Sequence, residues 1–318
     1  MTQSNADQGA APTELARNQL PDVFEERRRL VAIGYRMLGT LAEAEDAVQE
    51  TYVRWYRMTD AERAAITNPQ GWLTRVMSRV CLDVLGSARA RRERYVGEWL
   101  PEPVPATLFS GSARPVNRPP NVDPLDSVSL DEEVSTALLI VMESMTPAER
   151  VAFVLHDVFA VPFDEIATIV GRSAPAVRQL ATSARRRVRA HDARPQNTHE
   201  HDAVMLAFAT AVSEGDLTSL MQLLDPSVTL RSDGGGVVNA ARRPVLGISN
   251  VARFMIGVFQ KRPALVLQEH RTGDGVAFTA VDGDQLRGVV NVKVRDGRIT
   301  DVWLQSNPHK LTAWPIGS

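Results

Sequence analysis

The stretch FDEIATIVGRSAPAVRQLATSARRRV, residues 163–188, decides how this chain is read. Phe163-Asp164-Glu165-Ile166-Ala167 opens a short helix, with acids where the helix dipole favours them. Gly171-Arg172-Ser173 turns the chain, glycine suiting a helix end and Ser173 able to cap the helix that follows. In that second helix Val177, Leu180, Ala181, Ala184 and Val188 share a face that can pack inward, while Pro175, Arg178, Gln179, Thr182 and Arg186 lie opposite. Helix, turn and capped helix make a helix-turn-helix, a motif that presents its second helix to the major groove. Arg178 and Gln179 can read base edges, Arg172 and the run Arg185 to Arg187 suit phosphates, and Ser173, Ala176 and Thr182 complete the surface. A solvated basic helix on a structural bundle would explain the charge, but not the turn and the cap.

Charge around this motif supports the same reading. From Ile166 to His191 there are six arginines and no acid, and from Arg75 to Arg94 six arginines face only Asp83 and Glu93. The whole chain carries a formal charge of −2, too little cation for an autonomous DNA binder, so a partner is expected to supply much of the affinity. The hydrophobic fraction of 44% is that of a globular protein, and no apolar run is long enough to span a bilayer. Cys81 is the one cysteine, which rules out an intrachain disulfide and fits a reducing compartment. Residues 1–20 are polar, lack the pattern of a secretory signal, and are expected to be a disordered tail of a cytoplasmic protein.

Upstream, residues 21–97 show helical periodicity: Leu30, Ile33, Met37 and Leu41, then Ala44, Val48, Tyr52 and Trp55, then Trp72, Leu73, Val76, Val80 and Leu85. Trp55 and Trp72 read more naturally as core than as base-stacking platforms. Asp46, Gln49 and Glu50 fall at i, i+3 and i+4 and form one polar-acidic face. Spacing alone fits a solvated stripe, and it equally fits a patch that docks on a basic partner. Residues 98–129 carry seven prolines and no apolar period, and read as an extended linker headed by Trp99 and Leu100. Helical pattern returns over 130–192, residues 193–200 read as a polar hinge, and 201–318 turn from helices to β-rich runs. Asp282-Gly283 and Asp296-Gly297 supply hairpin turns there, so this last part is expected to be an α+β domain with one curved antiparallel sheet.

Together these stretches resemble the small extracytoplasmic-function sigma factors of bacteria, over residues 21–192. Asp46-Ala-Val-Gln49-Glu50-Thr is similar to the polymerase-binding helix of sigma region two, which implies that Asp46, Gln49 and Glu50 engage the clamp helices of the largest subunit of core RNA polymerase. Trp72-Leu-Thr-Arg75 to Asp83-Val-Leu resembles the promoter-facing helix of that region. It implies that Arg75, Arg79, Arg89, Arg91 and Arg92 hold the −10 element, and that residues 57–68 form the loop that captures a flipped base. Where the family often has arginine after that stretch, this chain has Gly86. Thr146-Pro-Ala-Glu149-Arg150 with Phe163-Asp-Glu-Ile resembles region four, implying that Arg172, Ser173, Ala176, Arg178, Gln179, Thr182 and Arg186 meet the −35 element.

Three further stretches are similar to the SigJ type, in which a SnoaL-like domain follows the sigma regions. They are Trp99-Leu100-Pro101-Glu102-Pro103, Asp233-Gly234-Gly235-Gly236 and Asn307-Pro308-His309-Lys310-Leu311, with His309 where the group usually has Asp. The resemblance implies two all-α sigma domains and an α+β SnoaL-like cone whose contacts through these stretches regulate the sigma part without a separate anti-sigma protein. Such cones can hold a small-molecule ligand, and Asp233, His270 and Asp301 are the titratable candidates, yet shared fold does not transfer chemistry, so no catalysis is expected. No cofactor is implied. His199-Glu-His201-Asp202 lacks the spacing of a helical zinc site, so no metal is expected. The alternatives are a ligand-sensing helix-turn-helix regulator, which leaves the Asp46 face without purpose, and a cyclase or isomerase with a helical accessory.

Overall fold

A computed structural model describes residues 23–92, 95–109, 135–191 and 198–314, with side chains for all of these except 23–25 and 88–92. The expected tail, residues 1–20, lies outside them.

The first module is built from α1 (Val23–Leu38), α2 (Leu41–Arg57), α3 (Asp60–Ala64) and α4 (Pro69–Arg92). Of the periodic apolar residues, Leu30, Ile33, Met37, Ala44, Val48, Leu73, Val80 and Leu85 are buried, whereas Leu41, Tyr52, Trp72 and Val76 are half-buried; Met77 and Cys81, outside that pattern, are buried as well. A Cβ on Gly34 would sit 2.5 Å from the Met77 methyl, so glycine is what allows α1 to approach α4 this closely. Trp55 is a core residue, 4% exposed, and Trp72 packs edge-on against it at 5.2 Å. Between α2 and α4, the stretch expected to be an open loop contains α3, started by a reciprocal Thr59–Glu62 capping box.

The second module holds α5 (Thr136–Glu143), α6 (Pro147–Phe153), a single π-turn at Val154–Val158, α7 (Phe163–Val170) and α8 (Ala174–Ala190). Thr146 and Glu149 cap α6 reciprocally, with Pro147 in the first turn. The two modules share one apolar core, although the sequence suggests separate units on a floppy tether. Arg36 of α1 is buried between the rings of Phe109 and Phe159, and Arg150 of α6, 2% exposed, reaches Gly39 at the α1–α2 corner. The head of the expected linker is not loose either. Residues 95–109 form an irregular strap with one 3-10 turn at Ala106–Leu108, and Leu100, Glu102, Val104 and Phe109 are buried along it.

The C-terminal domain starts at Thr198, inside the stretch read as a hinge; residues 192–197 lie outside the described ones. It comprises α9 (Thr198–Glu214), α10 (Leu217–Leu223), β1 (Leu224–Asp233), β2 (Val245–Leu246), α11 (Ile248–Gln260), β3 (Leu265–Thr272), β4 (Gly275–Asp282), β5 (Gln285–Arg295) and β6 (Arg298–Gln305). The strand order is β2-β1-β6-β5-β4-β3. The meander β3 to β6 is antiparallel as expected, but β1 runs parallel to β6, so the sheet is mixed. Asp296 and Gly297 both have positive φ at one hairpin, as a type I′ turn requires.

Register sorts the sheet into two faces. Leu230, Val302 and Val292 are paired neighbours and pack in one core with α9 and α11. Asp233, Gln305 and Val289, with Arg231, Trp303 and Asn291, are paired neighbours of opposite parity and face away from those helices. This outer face meets the rest of the chain.

Candidate promoter and polymerase interface

Gly171 takes the left-handed conformation (φ 69°, ψ 39°), and both its N–H and that of Arg172 return to the Ala167 carbonyl, closing α7. Ser173 accepts from the Ala176 N–H and starts α8. Val177, Ala181, Ala184 and Val188 are buried beneath α8. Arg172, Ser173, Arg178, Gln179, Thr182 and Arg186 are exposed and Ala176 is half-buried, so one surface gathers them all.

The arginine run divides by role. Arg185 Nε lies 2.6 Å from Asp157 and Arg187 Nε lies 3.7 Å from Glu149, so these two hold α8 on its scaffold; Arg186 faces outward. Arg178 sits over the Phe163 ring at 5.5 Å, which pre-positions its guanidinium at the turn. Burial works to raise the Glu149 carboxyl, but bonds from Ser183 and Thr146 and the nearby Arg187 outweigh it and hold the group below its usual range.

On α2 the residues Asp46, Gln49 and Glu50 are exposed together. Beside them runs a shallow groove of about 530 Å³ lined by Gln49, Tyr52, Val53, Tyr56 and Arg57, in which Tyr56 is 61% exposed. On α4, Arg75 and Arg79 are exposed, but Arg79 donates to the Thr168 carbonyl of α7 at 2.9 Å. The side chains of Arg89, Arg91 and Arg92 lie outside the described ones. A Cβ on Gly86 would meet nothing within 4 Å.

The three remaining stretches converge on Asp233, which is fully buried. Its carboxylate accepts from the Tyr95 hydroxyl (2.6 Å), the Gly235 N–H (2.9 Å), the Leu100 N–H (3.0 Å), Lys310 Nζ (2.8 Å) and Gln305 Nε2 (3.3 Å). Lys310 also donates to the Leu100 carbonyl and lies 4.2 Å from the Trp99 ring centroid. Gln305 Nε2 lies 3.3 Å from the Pro101 carbonyl, and Trp314 donates to that of Pro103. Burial, then the Asp233 carboxylate, push the Tyr95 phenol up.

Glycine is required here for close approach. A Cβ on Gly235 would sit 2.4 Å from Asn307, one on Gly234 2.4 Å from the Val238 carbonyl, and one on Gly236 3.2 Å from Val96. Asn307 donates to Tyr95, Leu311 packs with Val289 and Trp314, and Pro308 and His309 face solvent, so the departure at His309 does not touch the hub. On its other side the strap grips the first module: Glu102 accepts from the Leu41 N–H at 2.7 Å, and its carbonyl accepts from Tyr35 at 2.5 Å.

Asp233, His270 and Asp301 all lie on the outer sheet face, away from the α9–α11 core, and Asp233 is taken up by the strap. His201, part of the polar stretch weighed as a metal site, is buried with Nε2 3.2 Å from the Val292 carbonyl. Among the described residues no helix is long and apolar enough to cross a membrane. Sequence reasoning missed Tyr95, Gln305 and Trp314, and also Asp274, whose Asp274-Gly275 dipeptide between two β-runs carries the same signal as the two turns that were found.

Residues 23–92 match the family model for Sigma-70 region 2, and residues 135–188 that for Sigma-70, region 4. The ECF RNA polymerase sigma factor SigJ of Mycobacterium tuberculosis is 38% identical over 302 residues, 91% of this chain and 92% of that protein. The chain belongs to the extracytoplasmic-function sigma factors. The probable sigma factor SigI of Mycobacterium tuberculosis is likewise 38% identical, over 90% of this chain and 92% of that one. The crystal structure of Mycobacterium tuberculosis SigJ superposes with a TM-score of 0.69 at 35% identity, covering 92% of this chain and 99% of that one. The first module is therefore region two and the second region four, followed by an α+β domain. A sigma factor works with core RNA polymerase and promoter DNA to direct transcription initiation, and it is not an enzyme.

Proposed function

We propose that this sigma factor docks on the clamp helices of core polymerase through Asp46, Gln49 and Glu50, and that its fused C-terminal domain restrains it. Arg75, Arg79, Arg89, Arg91 and Arg92 then hold the −10 element, and the outward face of α8, from Arg172 to Arg186, reads the −35 element. Trp99 to Pro103, Asp233 to Gly236, and Asn307, Pro308, Lys310 and Leu311 form the regulatory contact. The observation that carries the restraint is the Asp233 hub, which fixes the strap on one side while Glu102 of the same strap is bonded to region two. In this state Arg79 is committed to region four, whereas the polymerase ridge and the −35 face are exposed.

The protein acts in the cytoplasm under this reading. A separate anti-sigma protein has no part to play, and a small-molecule ligand would act by competing with the strap for the C-terminal domain. Run-off transcription with core polymerase tests the restraint: Asp233→Asn in the full chain raises promoter output severalfold, and unchanged output overturns the regulatory role. Asp46→Ala with Gln49→Ala lowers association with core polymerase at least tenfold, a loss of about 1.4 kcal/mol. Association at parental strength removes the docking role.

A further inference from the structure

A second set of contacts joins the C-terminal domain to region four, and none of the three motif stretches contributes to it. Asp274, at the tip of the β3–β4 hairpin, is 9% exposed. Both its oxygens accept from the Thr136 N–H, at 3.0 and 2.8 Å, and Thr136 is the first residue of α5. Asn291 of β5 donates to Asp274 at 2.6 Å and stands 3.2 Å from the Thr136 hydroxyl. A carboxylate is thus held at the end of α5 where the orphan N–H groups and the positive end of the dipole lie.

At the other end of region four the sign is reversed. Lys293, two residues along the same strand from Asn291, donates from Nζ to the carbonyl of His191 at 2.8 Å. His191 is the C-cap of α8, where orphan carbonyls and the negative end of the dipole favour a cation. Between the two, Trp303 of the outer face is 5% exposed and belongs to the apolar core of the sigma modules.

We infer that the outer sheet face is a docking surface for region four, one that recognises the N-terminus of α5 through Asp274 and Asn291 and the C-terminus of α8 through Lys293, and that releases region four independently of the Asp233 hub. Residues 110–134 can span up to about 80 Å between the strap and region four, whereas His191 and Thr198 are only seven residues apart and stay within about 25 Å of each other, so the release is a swing of region four about the C-terminal end of α8. The inference rests on the reading that the C-terminal domain restrains the sigma part, but its test reads geometry and not transcription, so the two can fail separately.

Spin-label distances in the full chain decide it. One label pair, at Asp164→Cys in α7 and Thr218→Cys in α10, reports region four against the C-terminal domain. A second pair, at Leu108→Cys and Thr218→Cys, reports the strap. All three positions are exposed, and Cys81 is buried with its thiol pushed up to about 12, so it does not compete for label. Thr136→Pro removes the N–H that Asp274 accepts, yet proline suits this first helical position, and Ser135 before it is already extended (φ −73°, ψ 142°). Combined with Lys293→Met, it raises the long-distance fraction of the first pair at least fivefold and leaves the second pair unchanged. Asp274→Asn, which leaves region four's sequence intact and sets two amide groups facing each other, moves the first pair in the same direction. An unchanged first pair in both variants overturns the docking surface, and both pairs lengthening together overturns its independence from the hub.

Discussion

Two of the seams in this sigma factor, strap against C-terminal domain and region two against region four, bury charge differently. In the seam between strap and C-terminal domain, Asp233 has five donors and Lys310 has carboxylate, carbonyl and aromatic partners. In the seam between regions two and four, Arg150 is paired with Glu143, but its Nε and Nη2 have no hydrogen-bond partner among the described residues. Burial lowers its pKa to about 9, and that of Arg36 nearby to about 10. A buried charge stabilises only when its bonding capacity is filled; otherwise its desolvation opposes the contact. The charges of the first seam therefore favour contact, whereas that of Arg150 opposes it, since separating regions two and four lets water reach its guanidinium.

The largest expected effect comes from breaking the filled seam. Lys310→Met leaves Asp233 buried without its cation, and loss of one partner from a buried pair costs about 3–5 kcal/mol. Denaturant unfolding of the full chain shows the loss as a lower midpoint; an unmoved midpoint means that the hub does not depend on charge. Arg150→Met is the matching change in the other seam. It removes a cation whose hydration is already sacrificed and leaves Glu143, itself partly exposed, able to reach water. Stability stays within about 1 kcal/mol of the parent. A drop as large as that of Lys310→Met erases the distinction between the seams.

How much of this was legible in the sequence follows the same division. Local signals carried the helices: the Gly171 turn, the Ser173 and Thr146 caps and the apolar stripes each act within a few residues, so they survive in a linear reading. The three motif stretches were legible as a group only through family resemblance, because nothing local in Asp233-Gly-Gly-Gly announces that Tyr95, Leu100 and Lys310 fill its carboxylate. The joint core of regions two and four was not legible. Its contacts, such as Arg79 to Thr168 and Arg36 between Phe109 and Phe159, join positions far apart in the chain, and a proline-rich linker suggests separation. The parallel pairing of β1 with β6 escaped for the same reason, since alternation fixes a strand's faces but not its neighbour.

The smallest expected effect sharpens the contrast at the point where the seams meet. Glu102 sits on the strap and bonds to region two, and burial raises its carboxyl, only partly countered by the Leu41 N–H and Lys310. Below the ordinary value of 4.5 the carboxyl is protonated whether the chain is folded or not, so its contribution is flat. Between 4.5 and the raised folded value, the folded chain keeps a proton that the unfolded chain has released, so stability falls as pH rises through this window, and above it the contribution is flat again. Glu26, Asp157 and Asp274 are also raised by burial, and Glu149 and Asp202 are lowered, so the diagnostic quantity is a difference between two chains. Glu102→Gln keeps the shape and cannot titrate, so the stability gained by the parent on acidification from pH 7 to pH 5 shrinks in the variant. Parallel pH profiles for the two chains would mean that Glu102 is already relieved by its partners, which would place the strap's grip on region two with the filled seam.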